Sequence, residues 1–241
     1  HKLVRAAVNN LRGRTIYELP DGVSDRVGFS VTREESAALW VQRTGGSNQL
    51  ILLDLAGGAT RTLLETSEPI EDPQWRPGRR DILCRIGSGI ELVQSGTGQR
   101  TPIPTETTGE LGQFFWSLAG DVVFYLNRRE ALRESNQLRQ YDPGTRKEEL
   151  VAKTSQFVRI VQNHNSTVFL GASGSKAGPY ITILLTRPVR EFPLCEHRAQ
   201  DTLTVRPTFS GDSQAIFFQS DLHGKPALYL MTVDKLIERS S

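Results

Sequence analysis

Hydrophobic residues recur in short runs along the whole chain, and polar residues, glycine or proline bound each run. Residues 37–41 and 50–55 form two such runs, and a Gly-containing turn at residues 56–58 follows them. Residues 60–64, with the sequence TRTLL, then combine polar and apolar positions. Runs of this length, separated by turn residues, predict β-strands. The pattern therefore predicts a repeated unit of four strands, the last of which is half exposed.

An aromatic or apolar residue, followed by a polar turn and an apolar strand, occurs repeatedly. The clearest copies are anchored at Trp75, Trp116 and Phe209, and weaker copies at Phe29 and Val161. These anchors lie 41 to 48 residues apart, a period typical of propeller blades. Because one four-stranded sheet cannot bury both faces alone, blades stack radially, and the anchors are expected to pack between them. The sequence predicts an all-β propeller of four-stranded blades.

Five full blades and a partial N-terminal one are visible, and we expect residues 1–241 to form a single propeller domain. The segment from residue 3 to residue 19 contains only the outer two strands of a unit, with Gly13 at its turn. Either these strands complete the blade begun over residues 204–233, or one to two N-terminal blades precede this chain.

Composition and charge narrow the classes of function. The 29 basic and 27 acidic residues give a formal net charge of +2, so we do not expect nucleic acid as a partner. No apolar run approaches the roughly 18 residues that a membrane span needs, and a membrane is not an expected partner either. Cys84 and Cys195 have neither a CxxC motif nor a neighbouring pair of histidines. We expect both to be core residues and not zinc ligands or redox groups.

Histidines offer few candidates for catalysis or metal binding. His164 and His223 lie in predicted hairpin turns and are expected to be exposed. His197 is a candidate loop ligand, although no second imidazole is near it in sequence. A Gly-x-Ser-x-Gly elbow is absent from the sequence, which argues against a serine peptidase.

The most distinctive segment lies near the end of the chain, at residues 220–229, with the sequence SDLHGKPALY. Together with residues 206–212, it resembles the last blade of the oligogalacturonate lyase family. Further segments follow the order that they have in that family, namely residues 14–20, 75–78 and 163–171. The resemblance covers nearly the whole chain, beginning partway into the family's length, and TolB-type propellers share the blade pattern.

The resemblance implies a seven-bladed cytoplasmic propeller that cleaves short galacturonides, the fragments of pectin, by β-elimination. In that family a divalent cation, typically manganese, is bound by His and Gln side chains at the central funnel. Removing the proton next to a uronate carboxylate builds negative charge on an enolate, which a metal ion or a cationic side chain must stabilise. A base has to accept the proton.

The site residues implied by the resemblance are altered in this chain. Arg159 stands where the family has a ligand His, and Asp201, Thr204 and Arg206 stand where it has a Gln and two His. Gln113 replaces the His that is implied to be catalytic. Because a guanidinium keeps its proton and does not bind metal ions, we predict that the chain binds no manganese and needs no cofactor.

Two explanations of these changes stay open. In the first, Arg159 and Arg206 replace the cation and pair with uronate carboxylates, while Gln113 and Arg76 also contact the sugar. The chain is then a sugar-acid binder or a metal-free lyase, and its partner is a small uronate oligosaccharide. In the second, the funnel has drifted after activity was lost. The chain is then a non-catalytic TolB-like propeller that senses a ligand or binds a protein partner.

Overall fold

In a computed structural model of the protein, the chain divides into two compact units, residues 1–104 and residues 105–241. The structure describes residues 2–6, 13–18, 25–106, 108–129, 135–155 and 157–232. These residues contain no helix that is long and apolar enough to cross a membrane.

The first unit contains one two-stranded sheet and two four-stranded sheets. The two-stranded sheet pairs β1 (Lys2–Ala6) with β2 (Gly13–Glu18). The next sheet consists of β3 (Asp25–Val31), β4 (Ala37–Thr44), β5 (Ser47–Asp54) and β6 (Thr60–Thr66). The third sheet consists of β7 (Ile70–Trp75), β8 (Asp81–Ile86), β9 (Gly89–Gln94) and β10 (Arg100–Ile103).

The second unit contains two four-stranded sheets and one sheet of three described strands. The first consists of β11 (Glu110–Trp116), β12 (Val123–Arg128), β13 (Asn136–Asp142) and β14 (Lys147–Thr154). The second consists of β15 (Phe157–Gln162), β16 (Val168–Ser173), β17 (Tyr180–Thr186) and β18 (Val189–Glu196). The third consists of β19 (Thr208–Phe209), β20 (Ala215–Ser220) and β21 (Ala227–Thr232).

The sheets confirm the predicted repeat unit. In each four-stranded sheet the strands pair antiparallel in chain order, so each sheet is one continuous meander. The last predicted blade extends to Val233, which lies outside the described residues. The two N-terminal strands are also confirmed. However, the predicted position of Gly13 at their turn is wrong, because Gly13 already belongs to β2 and pairs with Ala6.

Hydrophobic residues pack between neighbouring sheets of each unit. Trp75 packs against a core cluster of the first unit that includes Cys84, as the sequence predicts. Phe209 and the half-buried Cys195 pack against a cluster of the second unit. Trp116 is also buried. The predicted packing role is therefore confirmed for Trp75 and Phe209 within their units, and it follows from the need of each sheet to cover its apolar face.

The turn after each first strand has the same backbone hydrogen bond. The N–H of its first residue donates to the carbonyl oxygen five residues later. The five donors are Thr32, Arg76, Ser117, Asn163 and Ser210. This repeated bond defines equivalent positions in the five sheets, and the residue before each donor is the anchor.

Two of the five predicted anchors do not stand directly before the donor, although Val161 packs against the same core cluster as Phe209, as an anchor should. Val31 and Gln162 hold the anchor position where the sequence predicts Phe29 and Val161. The sequence pattern favours aromatic and apolar residues, whereas the turn hydrogen bond determines the register. Gln162 is tolerated there because its buried Nε2 donates to the carbonyl oxygen of Trp116 at 2.7 Å. A paired amide can occupy a buried position at little cost.

Candidate functional site

Three predicted site residues hold equivalent positions in successive sheets of the second unit. Gln113, Arg159 and Arg206 each lie four residues before the donor of the repeated turn hydrogen bond. The first strands of these sheets are neighbours, since β11 contacts β15 and β15 contacts β19. We call the row formed by β11, β15 and the segment that leads into β19 the first-strand edge. The fold thus places one amide and two guanidinium residues along this edge.

Gln113 and Arg159 lie at irregular points of their strands. The pairing register shifts between Leu111 and Phe114 in β11, and between Phe157 and Arg159 in β15. A bulge of this kind bends the strand and re-aims a side chain. Strands β3 and β7 of the first unit have the same irregularity, so a bulge in the first strand is a repeated feature of the blades.

The side chain of Gln113 links two first strands. Its Oε1 accepts a hydrogen bond from the backbone N–H of Ile160 at 3.0 Å. This bond holds the amide in one orientation and leaves its NH₂ group as the part that can donate to a ligand. An amide is not a proton acceptor of the kind that elimination needs. Gln113 therefore cannot replace the base for which the resemblance implies a histidine.

The two arginines differ in exposure. Arg206 is exposed in the segment before β19. Within the part of the chain that the structure describes, no residue forms an ion pair or a hydrogen bond with its guanidinium. Arg159 is half-buried and directly follows the bulge of β15. A guanidinium presents its N–H donors in a planar fork that matches a carboxylate, so Arg206 has the chemistry and the exposure to bind one.

The loop that carries Arg206 is anchored on both sides of an exposed leucine. Thr202 is buried and its Oγ1 donates to the carbonyl oxygen of Gly174 at 2.7 Å. Val205 belongs to the core. Leu203, between these anchors, is 54% exposed. Sequence reasoning missed Leu203, because an apolar residue in a short polar loop gives no signal of which side it faces.

The residues at the implied metal positions do not fit a manganese ion. Arg159 and Arg206 stay protonated and cannot act as ligands. Thr204 Oγ1 donates to the carbonyl oxygen of Asp201 at 2.8 Å, and Asp201 Oδ1 accepts the N–H of Leu203 at 3.0 Å. The described ranges contain no group of three or more His, Cys, Asp or Glu residues that could hold a metal ion. That the chain binds no manganese stays a prediction for solution measurements.

Arg76, the fourth predicted binding residue, lies in the first unit. It is 7% exposed, and its Nη1 lies 3.0 Å from Asp81 Oδ2. Its backbone N–H also donates to the carbonyl oxygen of Asp81 at 2.8 Å. These contacts close the turn between β7 and β8, which is a structural role. A role of Arg76 in ligand binding stays a prediction.

The histidines separate into exposed and buried positions. His164 and His223 are exposed in turns, as predicted. The His164 ring nevertheless has a partner, since its Nδ1 lies 3.2 Å from Ser213 Oγ. His197 is fully buried and both its ring nitrogens contact backbone groups. The prediction of His197 as a loop ligand is therefore wrong, because its lone pair and its proton are already engaged inside the protein.

Two bacterial enzymes are similar to this chain over 96% of its length. The oligogalacturonide lyase of Pectobacterium atrosepticum is 23% identical, and the oligogalacturonate lyase of Dickeya dadantii is 22% identical. Each match spans 72% of the relative. No model of a protein family matches the chain.

Solved structures show the same fold. An oligogalacturonate lyase in complex with manganese superposes with a TM-score of 0.89 at 16% identity, over 98% of this chain and 73% of the other. The oligogalacturonate lyase of Vibrio parahaemolyticus gives 0.87 at 16% identity, over 96% and 72%. TolB from Acinetobacter baumannii gives 0.70 at 16% identity, over 97% and 57%. The predicted β-propeller fold and the resemblance to the oligogalacturonate lyases are thereby confirmed.

Proposed function

We propose that this propeller, a relative of the oligogalacturonate lyases, binds short galacturonate oligosaccharides by pairing their carboxylates with Arg206 and Arg159. One observation carries the proposal. The Arg206 guanidinium is exposed on the first-strand edge, and no partner for it lies among the residues that the structure describes. The relatives named as lyases of oligogalacturonides support a sugar acid as its ligand.

The chemistry of the sugar matches the chemistry of this edge. A galacturonate oligosaccharide carries one carboxylate on each ring, and a charge-assisted hydrogen bond to such a group contributes about 1.5–3 kcal/mol. Arg206 supplies one bidentate partner. Arg159, at the equivalent position of the neighbouring strand, supplies a partner for a second carboxylate. The NH₂ group of Gln113 is suited to a sugar hydroxyl or ring oxygen.

We propose binding without efficient cleavage. In β-elimination a base takes the C5 proton, the C4–O bond breaks, a C4=C5 double bond forms, and the departing oxygen gains a proton. The arginines can offset the charge of the enolate. A base is lacking, since the positions four residues before the turn donors of the second unit hold only Gln113, Arg159 and Arg206. None of these accepts a proton at neutral pH.

Titration calorimetry with digalacturonate tests the proposal, and the uncharged dimethyl ester of the same sugar is the matched ligand. We expect the acid to bind and the ester to bind far more weakly. Equal binding of both ligands would show that the carboxylates are not recognised.

A parallel assay follows the ultraviolet absorbance of the unsaturated product with and without manganese. We expect no product, and product formation would overturn the part of the proposal that concerns cleavage.

A second candidate function is protein binding without a sugar ligand. It is favoured by Leu228 and Leu230, which are 72% and 61% exposed on β21, since exposed apolar residues close together mark interaction surfaces. This function predicts that neither digalacturonate nor its ester binds.

With the first function we also propose the cytoplasmic location that the resemblance implies, and fractionation of the source cells tests it.

A further inference from the structure

The loop that carries Arg206 begins at a buried histidine. His197 follows β18 and is 0% exposed. Its Nδ1 accepts a hydrogen bond from the N–H of Ala199 at 3.2 Å, and its Nε2 lies 3.3 Å from the carbonyl oxygen of Ser173. Nδ1 must therefore keep its lone pair while Nε2 carries the proton, which describes one neutral tautomer of the ring. In this state the ring joins the end of β16 to the start of the loop.

The backbone of His197 adds two more links. Its N–H donates to the carbonyl oxygen of Pro179 at 2.7 Å. Its carbonyl oxygen accepts a hydrogen bond from Ser220 Oγ at the end of β20. Four hydrogen bonds thus hold this single residue among β16, the segment before β17, and β20. A break at His197 would remove these four links at the start of the loop.

Further contacts fix the loop between His197 and Arg206. The N–H of Gln200 donates to Asp221 Oδ1 at 2.9 Å. Thr202 and Val205 are buried, as described above. The loop is therefore tied at its start, middle and end, and the position of Arg206 depends on these ties. Only the tie at His197 includes a group that titrates near neutral pH.

We propose that His197 is a positioning residue for Arg206, whose neutral imidazole holds the loop of residues 198–206 and whose protonation releases it. A proton on Nδ1 would turn an acceptor into a donor that faces the N–H of Ala199. It would also bury a charge, which is unfavourable without a partner. The consequence for sugar binding rests on the proposed function. The link between His197 and the order of the loop does not.

The surroundings of His197 favour the neutral ring. The ionisable residues on the elements around it are Lys176, Tyr180, Arg190, Glu191, Cys195, Glu196, Arg198, Asp201, Arg206 and Asp221. Glu196 and Arg198 pair with one another at 2.7 Å, and Asp221 accepts the N–H of Gln200. Burial lowers the pKa of His197 below its ordinary value of 6.5, and the hydrogen bond to Ser173 opposes this shift only in part.

The direction of the pH effect follows from this lowered pKa. A released His197 titrates near its ordinary value, whereas the docked ring stays neutral to lower pH. The released state therefore binds more protons as the pH falls below about 6.5, and the docked state loses stability there. Above that pH its stability is fully present. Uronate carboxylates and guanidinium groups keep their charges between about pH 5 and 8, so neither masks the effect.

The test combines amide exchange with sugar titration on the full chain between about pH 5 and 8. NMR follows the exchange protection of the Ala199 amide, corrected for the intrinsic rate at each pH, and calorimetry follows the affinity for digalacturonate. We expect the protection of the Ala199 amide and the affinity for digalacturonate to fall together at the acid end. The affinity should fall by about tenfold, the size expected when one contact that positions Arg206 is lost. Protection that stays constant across this range would overturn the proposal.

Three variants separate positioning from a merely structural role. The Oδ1 of His197→Asn can still accept the N–H of Ala199 as an Asx turn, so we expect near-normal affinity at neutral pH and no pH dependence. His197→Ala loses the bond and should bind weakly at every pH. His223→Asn changes an exposed histidine and should keep the wild-type profile. A wild-type profile in His197→Asn would overturn the proposal.

Failure of the proposed function gives a different result. In that case the Ala199 amide loses protection at acid pH as expected, but digalacturonate binds at no pH. This result supports the role of His197 in holding the loop and overturns the sugar as its ligand.

Discussion

Arg139 and Arg206 belong to the same unit but have different surroundings. Arg139 lies on β13, where its Nη2 donates to Glu148 Oε2 at 2.7 Å and its Nε donates to Oε1 of the same carboxylate. Its Nη1 donates to Gln137 Oε1 at 2.6 Å. Arg206 lies on the first-strand edge, is exposed, and has no such partner in the described ranges. The guanidinium of Arg139 is paired with neighbouring side chains, whereas that of Arg206 is exposed, as the proposed binding of a ligand requires.

A tyrosine extends the network around Arg139. The buried Tyr125 donates its hydroxyl proton to Glu148 Oε1 at 2.6 Å and accepts the N–H of Glu106 at 2.9 Å. Burial, with the hydrogen bond to Glu148, raises the pKa of Tyr125, and the hydrogen bond from Arg139 lowers the pKa of Glu148. The guanidinium of Arg139, the carboxylate of Glu148 and the hydroxyl of Tyr125 are thus all engaged within this network. The comparison teaches that the function of an arginine in this fold depends on its strand.

The largest effect is expected from removing both charges of the edge. The double variant Arg159→Gln/Arg206→Gln should lower the affinity for digalacturonate by about 100-fold or more, because each lost charge-assisted bond is worth about 1.5–3 kcal/mol. Calorimetry measures the loss. Arg190→Gln, which removes an exposed positive charge from β18, is the control and should bind normally. An equal loss in the control would mean that net charge alone attracts the sugar.

The next effect concerns stability and not binding. Arg139→Gln should lower the free energy of unfolding by about 2 kcal/mol, since it leaves the mostly buried Glu148 without its ionic partner. Urea denaturation measures this change. The affinity for digalacturonate should stay the same, and Arg206→Gln should show the reverse pattern. If Arg139→Gln weakened sugar binding while the unfolding free energy stayed constant, the comparison would be wrong.

A smaller loss of stability is expected at the tyrosine. Tyr125→Phe removes the hydroxyl that joins Glu148 to the N–H of Glu106, and should cost about 1 kcal/mol of unfolding free energy. Thermal and urea unfolding both report it. Tyr180→Phe, at an exposed position of β17, should change stability by less than about 0.5 kcal/mol. Equal effects at both tyrosines would show that the network contributes nothing specific.

The smallest effect tests geometry at constant charge. Arg206→Lys keeps the positive charge but replaces the planar fork with a single ammonium group. We expect the affinity for digalacturonate to fall by only about threefold, or roughly 0.6 kcal/mol. Unchanged affinity would indicate that Arg206 acts as a simple charge, without bidentate pairing.

The fold could be predicted from the sequence because its repeat is local. Trp75, Trp116 and Phe209 each stand next to their own turn, and a local pattern is enough to find them. The anchor at Gln162 could not be found in this way. Its amide is satisfied by the carbonyl of Trp116 in a neighbouring sheet, and no local pattern predicts a contact between residues so far apart.

The site was predictable in part, for the same reason. The resemblance points to Gln113, Arg159 and Arg206, and the structure places all three at one position of the blade. The sequence does not show that Arg139 is paired and Arg206 exposed, because both depend on neighbouring strands. The role of His197 was missed for this reason also, since its partners belong to β16 and to its own loop.

A crystal structure of the chain soaked with digalacturonate tests the central claim most directly. We expect a sugar carboxylate at the first-strand edge, with its oxygens about 2.7–2.9 Å from the guanidinium nitrogens of Arg206, the range of charge-assisted hydrogen bonds. We expect the second carboxylate to contact Arg159. A sugar bound elsewhere, or one whose carboxylates point away from both arginines, would contradict the account.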